Sequence, residues 1–162
     1  MKKILLSLLL IFIIYIVLSL SFLDKHYFIC PIKYQSDFII RSDSRGDGLF
    51  GTRRSGRRMH QGIDFLAEVG KPVLAVRTGL VVQAKNSKGM GNYIVLRHSP
   101  SLTTIYGHLF KIYVRQNQLV RQGDIIGLVG KTGNANYPNM QPHLHFEIRK
   151  NGIPQDPLEY LD

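Results

Sequence analysis

The sequence predicts a mainly β protein: a small antiparallel β-sandwich or open barrel, preceded by one N-terminal transmembrane helix. Three observations predict this class. Residues 4–23 form an apolar run without a charge, short apolar runs alternate with glycine turns from Gly70 onward, and no later window shows a 3.6-residue hydrophobic stripe. The 162 residues leave room for one domain of ordinary size.

The N-terminal segment is predicted to cross a membrane. The run Ile4–Leu23 would measure roughly 30 Å as a helix, which is enough to span a bilayer. Lys2 and Lys3 favour a cytoplasmic N-terminus, so the chain after Asp24 would lie outside the cytoplasm, at the cell surface or in the periplasm. The run is longer than an ordinary signal-peptide core. This length favours an uncleaved anchor over a secreted protein cut after a site such as Ser19-Leu20-Ser21.

The chain is predicted to have three segments: 1–23 as the signal anchor, 24–50 as a linker and lead-in, and 51–162 as the folded domain. The lead-in contains the polar, turn-rich stretch Ser42–Gly48. The predicted strands of the domain are rich in Val, Ile and Leu. They are Pro72–Ala75, Leu80–Ala84, Tyr93–Arg97, Thr103–His108, Ile125–Val129 and His143–Arg149.

The composition restricts the partners. A formal net charge of +10 indicates a polyanionic partner. Export argues against nucleic acid and leaves phospholipid headgroups and acidic cell-wall polymers. Cys30 is the single cysteine, so an intramolecular disulfide and a Cys-rich zinc module are both excluded.

Histidines that could carry chemistry occur in three motifs. His60 and Asp64 form H-Q-G-I-D, His108 ends the run TTIYGH, and His143 and His145 form H-L-H. Each motif alone has an ordinary structural explanation, since a half-exposed strand can carry a histidine without chemical reason. Their occurrence together in one small exported domain favours a shared site. His26 and His98 are assigned no role.

The alternation of side chains along a strand assigns the residues of two of these motifs to strand faces. In the run His143–Arg149, the two histidines and Glu147 fall on one face, opposite three apolar residues. In the run Thr103–His108, Thr104, Tyr106 and His108 are expected to share a face by the same rule. If these faces meet H-Q-G-I-D, four histidines and one aspartate cluster.

Such a cluster suits a divalent transition metal. Two imidazoles and a carboxylate leave a fourth position for water, as in catalytic zinc sites. Zinc would lower the pKa of that water to about 7 and polarise a carbonyl group. The remaining histidines could act as general base and transition-state stabiliser. The same three ligands also serve non-haem iron oxygenases, but that reading leaves two histidines without a role and fits the exported location poorly.

The motifs and their order resemble the lysostaphin-type (LytM-like) zinc metallopeptidases of bacterial cell walls. The similarity runs from about Gly51 to Asp162 and includes MHQGIDF, GMGNYIVLRHS, TTIYGHL, VRQGDIIGLVGKTGNA and PHLHFEIRKNG. The resemblance implies a small antiparallel β domain whose metal lies in a groove floored by the sheet. It also implies a role for each motif. The zinc ligands would be His60, Asp64 and His145, and the base and the stabiliser of the tetrahedral intermediate would be His108 and His143.

The resemblance implies an endopeptidase that hydrolyses peptide cross-links of peptidoglycan. The bond would be D-Ala to diaminopimelate or, in a pentaglycine-bridged wall, Gly–Gly. The short anchor and minimal domain favour the D,D-bond. The alternative is a non-catalytic scaffold or activator of other cell-wall hydrolases, because some relatives have lost their ligands. The intact ligand set favours the enzyme.

Two further features concern the substrate groove. Arg53, Arg54, Arg57 and Arg58 precede the first motif and are predicted to bind peptide carboxylates or membrane phosphates, the alternative being a solvated patch. Many relatives run from T-G almost directly into P-H-L-H, whereas Asn134–Gln141 intervenes here. This loop is expected to lie beside the site.

Overall fold

The structure is a computed structural model that describes residues 2–26, 28–35, 37–54 and 58–161. In this part of the chain one α-helix, α1 (Lys2–His26), precedes twelve β-strands, which confirms a mainly β class. Residues 4–17 of α1 have exposed side chains. Among the described residues, no helix combines the length and apolar character needed to span a membrane. The transmembrane anchor stays a prediction.

The strands form three antiparallel sheets. Each of the six apolar runs in the sequence becomes a strand, and several extend further than predicted. The strands are β1 Ser42–Asp43, β2 Gly46–Asp47, β3 Ile63–Leu66, β4 Pro72–Leu74, β5 Gly79–Ser87, β6 Gly91–Arg97, β7 Leu102–Leu109, β8 Lys111–Ile112, β9 Leu119–Val120, β10 Ile125–Leu128, β11 His143–Lys150 and β12 Ile153–Gln155. Two 3-10 turns, Gly133–Ala135 and Pro157–Glu159, complete the described elements.

The largest sheet has the order β12-β11-β7-β6-β5-β9, and β3 also pairs with β11. Strand β7 pairs with residues 145–150 of β11, whereas β3 pairs with residues 143–146 and β12 with residues 148–150. Strands β3 and β12 therefore share one edge of β11, and β7 takes the other. This arrangement makes β11 a central strand with neighbours on both sides of its histidines.

The core draws on both larger sheets. It includes Val73 of β4 and Ile126 of β10 together with Ile94, Tyr106 and Phe146 of the largest sheet, all fully buried. The apolar residues at alternate positions of β11 point into this core, as the sequence predicts for a half-buried strand. The finer assignment, a β-sandwich or an open barrel, stays a prediction.

The lead-in packs against the strands rather than lying apart from them. Phe28 and Ile32 belong to the core cluster. Residues 39–41 run beside β3: the Leu66 amide donates to the Ile39 carbonyl at 2.8 Å, and the Arg41 amide donates to the Asp64 carbonyl at 2.9 Å. The lead-in thereby reaches the first histidine motif. The domain boundary at residue 51 stays a prediction.

Candidate metal centre and groove

Strand register brings the first and third motifs together. His145 lies opposite Asp64 of β3 on one side and opposite Gly107 of β7 on the other. The neighbouring residues Leu144 and Phe146 point into the core. The alternation predicted for His143, His145 and Glu147 is therefore consistent with the structure, and all three are buried on the opposite face.

His108 reaches the site by a different route from the one predicted. Thr104 and Tyr106 lie on the core side, where the Thr104 hydroxyl is 3.1 Å from the Tyr106 hydroxyl. Continued alternation would put His108 on that side as well. The register between β6 and β7 shifts between Asn92 and Ile94, and His108 has a φ of 62°. This bulge turns the imidazole to the other face, so the expectation that all three residues share a face is wrong for His108.

Three ligand-type atoms converge at the end of β3. Nε2 of His60 lies 3.0 Å from Nδ1 of His145, and Oδ1 of Asp64 lies 3.1 Å and 2.9 Å from these two nitrogens. The three residues are buried, and their ligand atoms lie within 4.8 Å of one another. They form a group that could hold a metal ion.

The second nitrogen of each of these histidines is held in place. Nδ1 of His60 donates to the Leu49 carbonyl at 2.9 Å. Nε2 of His145 donates to Oε1 of Glu147 at 2.9 Å, and Oε2 of Glu147 accepts from Arg149 at 2.7 Å. These partners fix the tautomers so that Nε2 of His60 and Nδ1 of His145 face the centre. Carbonyl and carboxylate partners of this kind are typical of metal-binding histidines.

The charges in the centre show how well it suits a cation. Burial alone would lower the pKa of His145, but its hydrogen bonds with Asp64 and Glu147 raise it to about 9. Burial alone would raise the pKa of Asp64, but hydrogen bonds with His145 and His60 hold it well below its usual value. One proton on Nδ1 thus lies among the Asp64 carboxylate and the two imidazoles. Nitrogen and carboxylate donors around a buried positive charge are the donor set of a zinc site.

His108 and His143 lie beside this group with neutral rings. Their ring centroids are 5.0 Å apart, and Nε2 of His143 is 4.0 Å from Oδ1 of Asp64. Burial lowers the pKa of His108 to about 3 and, against the opposing charge of Asp64, that of His143 to about 4. Nδ1 of His108 donates to the Thr132 carbonyl at 2.8 Å, and Nδ1 of His143 donates to the Gln141 carbonyl at 2.7 Å. Each Nε2 is therefore the basic nitrogen.

Two arginines form hydrogen bonds with the oxygen of Asp64 that faces away from the histidines. Arg41 and Arg54 donate to Oδ2 at 3.0 Å and 2.9 Å. Arg41 is 1% exposed, and it also lies 2.7 Å from Oδ1 of Asp43. Hydrogen bonds with Asp43 and Asp64 outweigh the effect of burial and raise the pKa of Arg41, which keeps it charged.

The centre opens into a groove of about 910 Å³. Arg53 and Arg58 line it together with Arg54, whereas Arg57 lies outside the described residues. The loop Asn134–Gln141 forms part of the wall, as its position in the sequence predicts, through the lining residues Asn134, Tyr137 and Met140.

That loop is tied to the lead-in. The guanidinium of Arg45 stacks 4.8 Å from the ring centre of Tyr137, and the Gln141 amide donates to Oδ2 of Asp43 at 2.9 Å. The hairpin of β1 and β2 and the Asn134–Gln141 loop thus form one wall of the groove.

Sequence reasoning missed Arg41, Asp43 and any role for Glu147. The arginine and the aspartate lie in the stretch taken for a linker, and their long-range partners leave no local pattern. Glu147 did carry a signal, because alternation already placed it on the face of the two histidines. A carboxylate two residues beyond a ligand histidine on one strand is well placed to orient that histidine.

A mainly antiparallel β fold with a buried His–Asp–His group and two neutral histidines in a groove defines a class: domains built to hold a metal ion for hydrolysis. Residues 58–157 match the sequence profile of Peptidase family M23. The chain belongs to this family of metallopeptidases.

Two curated proteins illustrate what this chain is similar to. It is 38% identical over 114 residues to the Lipoprotein NlpD/LppB homolog of Pseudomonas aeruginosa, covering 70% of this chain and 37% of that protein. It is 38% identical over 100 residues to the peptidoglycan DD-endopeptidase ShyC of Vibrio cholerae, covering 62% of this chain and 22% of that protein. The chain thus spans well under half the length of these curated relatives.

A solved structure supports the fold. The catalytic domain of the antimicrobial peptidase lysostaphin from Staphylococcus simulans superposes with a TM-score of 0.62 and 34% identity. The match covers 73% of this chain and 91% of that domain. The matched part of this chain therefore corresponds to nearly the whole of a known peptidase domain.

Proposed function

We propose that this protein is a zinc-dependent endopeptidase that hydrolyses peptide cross-links of bacterial peptidoglycan. The observation that carries the proposal is the convergence of His60 Nε2, Asp64 Oδ1 and His145 Nδ1 beside two neutral histidines. Membership of family M23 supports peptidase chemistry. Similarity to ShyC, a peptidoglycan DD-endopeptidase, supports the D,D-bond as the target.

The metal would be held by His60, Asp64 and His145. Two imidazole nitrogens and one carboxylate oxygen form a three-ligand set that leaves a position open for water. When bound, zinc supplies a water molecule of lowered pKa and a charge that polarises a carbonyl group. Glu147 keeps His145 in the tautomer that presents Nδ1, and the Leu49 carbonyl does the same for Nε2 of His60.

The neutral histidines would handle the protons. Because Nδ1 of each ring donates to a backbone carbonyl, Nε2 of His108 or His143 is free to accept a proton from the attacking water and to return it to the leaving amine. The ring that has taken up this proton, His108 or His143, could then stabilise the developing oxyanion through its Nε2–H until the proton passes to the leaving amine. Both rings are buried at the floor of the groove, so their positions are fixed before the substrate arrives.

The arginines of the groove would attract the acidic groups of the peptide. Arg53 and Arg58 lie on its lining, while the lining carboxylates Asp64 and Glu147 are already paired with cationic side chains. A variant with Arg53, Arg57 and Arg58 changed to Gln should bind sacculi more weakly than wild type at low salt and equally at high salt, because salt screens exposed charges. Equal binding at every ionic strength would identify a solvated patch. Arg54 is left unchanged in this variant because it contacts Asp64.

The active domain would lie outside the cytoplasm, where its substrate is. We propose that α1 anchors it, which rests on the uncharged run 4–23 and the lysines that precede it. Recovery of the full chain in the membrane fraction after a high-pH wash is the expected result. Recovery in the soluble fraction at its full mass would contradict the anchor.

Digestion of purified sacculi tests the activity. The full chain in mild detergent should release cross-link-cleaved muropeptides, identified by mass spectrometry, and chelation should abolish the release until zinc is restored. The His60→Ala variant is the control for a contaminating hydrolase. Elemental analysis of the purified protein distinguishes zinc from iron. Zinc-loaded protein that leaves every cross-link intact would instead support a scaffold or activator.

A further inference from the structure

Asp64 is buried between two arginines on one side and two histidines on the other. Its side chain is 4% exposed, and Oδ2 accepts hydrogen bonds from two guanidinium groups, those of Arg41 and Arg54. The other oxygen, Oδ1, faces the two histidine nitrogens at 2.9 and 3.1 Å. The two oxygens of one carboxylate are thus assigned to different partners, one to a pair of cations and one to the metal position.

From this geometry we infer that Arg41 and Arg54 are positioning residues that make Asp64 a one-oxygen metal ligand. This inference rests on the proposed metal site. A carboxylate oxygen has about two lone-pair directions, and two charge-assisted hydrogen bonds occupy both. Oδ2 is then unable to turn toward a metal ion. Only Oδ1 would then be available to hold a metal ion, and the place that a second carboxylate oxygen could take would be left for water or for the substrate carbonyl.

The placement of Arg41 fits a dedicated support rather than a chance ion pair. Its side chain is 1% exposed, and a charge buried that deeply is costly unless it is well paired. Its second partner, Asp43, lies in β1 and also accepts the Gln141 amide. A cation in the lead-in is therefore fixed to the loop before β11 as well as to Asp64. Glycine at position 48 permits this approach, since a Cβ there would lie 2.8 Å from the Arg41 carbonyl and 2.9 Å from Cβ of Asp64.

Arg54 offers the cleaner test because its side chain is 21% exposed, so that its replacement disturbs the core less. The change Arg54→Met removes every donor to Oδ2 from that side while keeping an unbranched side chain. Arg53→Met is the matched control: it removes one positive charge from the adjacent position, which lines the same groove. Arg54→Lys restores one donor and the charge.

The measurement is zinc affinity by competition with a chelator, on the full chain, together with the visible spectrum of the cobalt-substituted protein. Loss of an orienting partner of a metal ligand typically costs about 10–100-fold in metal affinity. We expect a loss of that size for Arg54→Met, partial recovery for Arg54→Lys and wild-type affinity for Arg53→Met. The cobalt bands of Arg54→Met should weaken toward those of a higher coordination number as Oδ2 becomes available.

The outcomes separate the inference from the proposed function. If wild type binds no zinc, the metal site itself fails. If wild type binds zinc and Arg54→Met binds it as tightly or more tightly with an unchanged cobalt spectrum, only the positioning role is overturned. An equal loss in Arg53→Met and Arg54→Met would also overturn it, because the effect would then come from net charge alone. The unfolding transition of each zinc-free variant shows whether the fold is intact.

Discussion

At the residue scale, the three proposed ligands are held by different partners. A backbone carbonyl holds His60, a carboxylate holds His145, and two arginines hold Asp64. We expect His60→Ala, Asp64→Ala and His145→Ala each to lose zinc, since two remaining protein ligands are too few. Elemental analysis after gel filtration measures this. One zinc ion per chain with unchanged affinity in any of the three variants would remove that residue from the ligand set.

The two neutral histidines should behave in the opposite way. His143→Ala and His108→Ala are expected to keep zinc and to lose about 10²–10⁴-fold in turnover, the usual worth of general acid–base or electrostatic help. His108 has a φ of 62°, which strains alanine. His108→Asn is therefore a useful companion, because asparagine adopts this backbone readily. Wild-type cleavage of sacculi by a zinc-loaded variant would make that histidine structural.

The site residues differ in how much of the chain must be considered to predict their positions. Alternation along one strand sufficed to put His143 and His145 on a single face, because that rule needs only the local backbone. Whether His143 or His145 points toward the proposed metal position depends on the register of β11 against β3 and β7. Sequence spacing alone therefore left this choice open. Arg41 depends on a contact 23 residues away and gave no local sign.

At the element scale, the bulge in β7 decides where His108 points. Gly107 lies directly before it and opposite His145. A Cβ at position 107 would lie 3.2 Å from Sδ of Met90 and 3.3 Å from Cβ of His145. Gly107→Ala should therefore displace His145 and weaken zinc binding by about 10-fold or more, the scale of disturbed ligand support.

Gly89→Ala is the matched control for this change. Gly89 lines the same groove, but a Cβ there meets only Nδ2 of Asn134 at 3.6 Å, an ordinary contact. Zinc affinity by chelator competition should separate the two variants. Equal affinities for Gly107→Ala and Gly89→Ala would show that β11 can move without disturbing the centre.

Elements were predictable where hydrophobic runs are long enough to show a period. All six predicted runs became strands, but β3 and the two-residue strands such as β1 and β8 were not predicted, because runs this short show no pattern. The bulge was missed for a related reason. The bulge depends on the pairing between β6 and β7, and a glycine before a histidine does not by itself indicate a bulge.

At the scale of the whole molecule, the proposed metal centre should make the stability of the fold depend on pH. The pKa of His145 is about 9 in the folded chain, against roughly 6.5 for an unfolded histidine. A raised pKa contributes stability that is fully present below the unfolded value and is lost as pH rises through the folded value. His108 and His143 have lowered pKa values, so they change stability only below about pH 6.5.

The chelated protein should therefore become less stable between pH 6.5 and 9, by on the order of 1–3 kcal/mol. The zinc-loaded protein should not show this loss, because the metal takes the place of the proton on Nδ1 and ligand deprotonation at higher pH favours its binding. Urea unfolding of the full chain at pH 6.5, 8 and 9, with chelator or with zinc, measures both. Glu147→Gln removes one of the partners that raise the pKa of His145 and should flatten the dependence of the chelated protein. A chelated wild type that is equally stable at pH 6.5 and 9 would mean that His145 does not carry the shared proton.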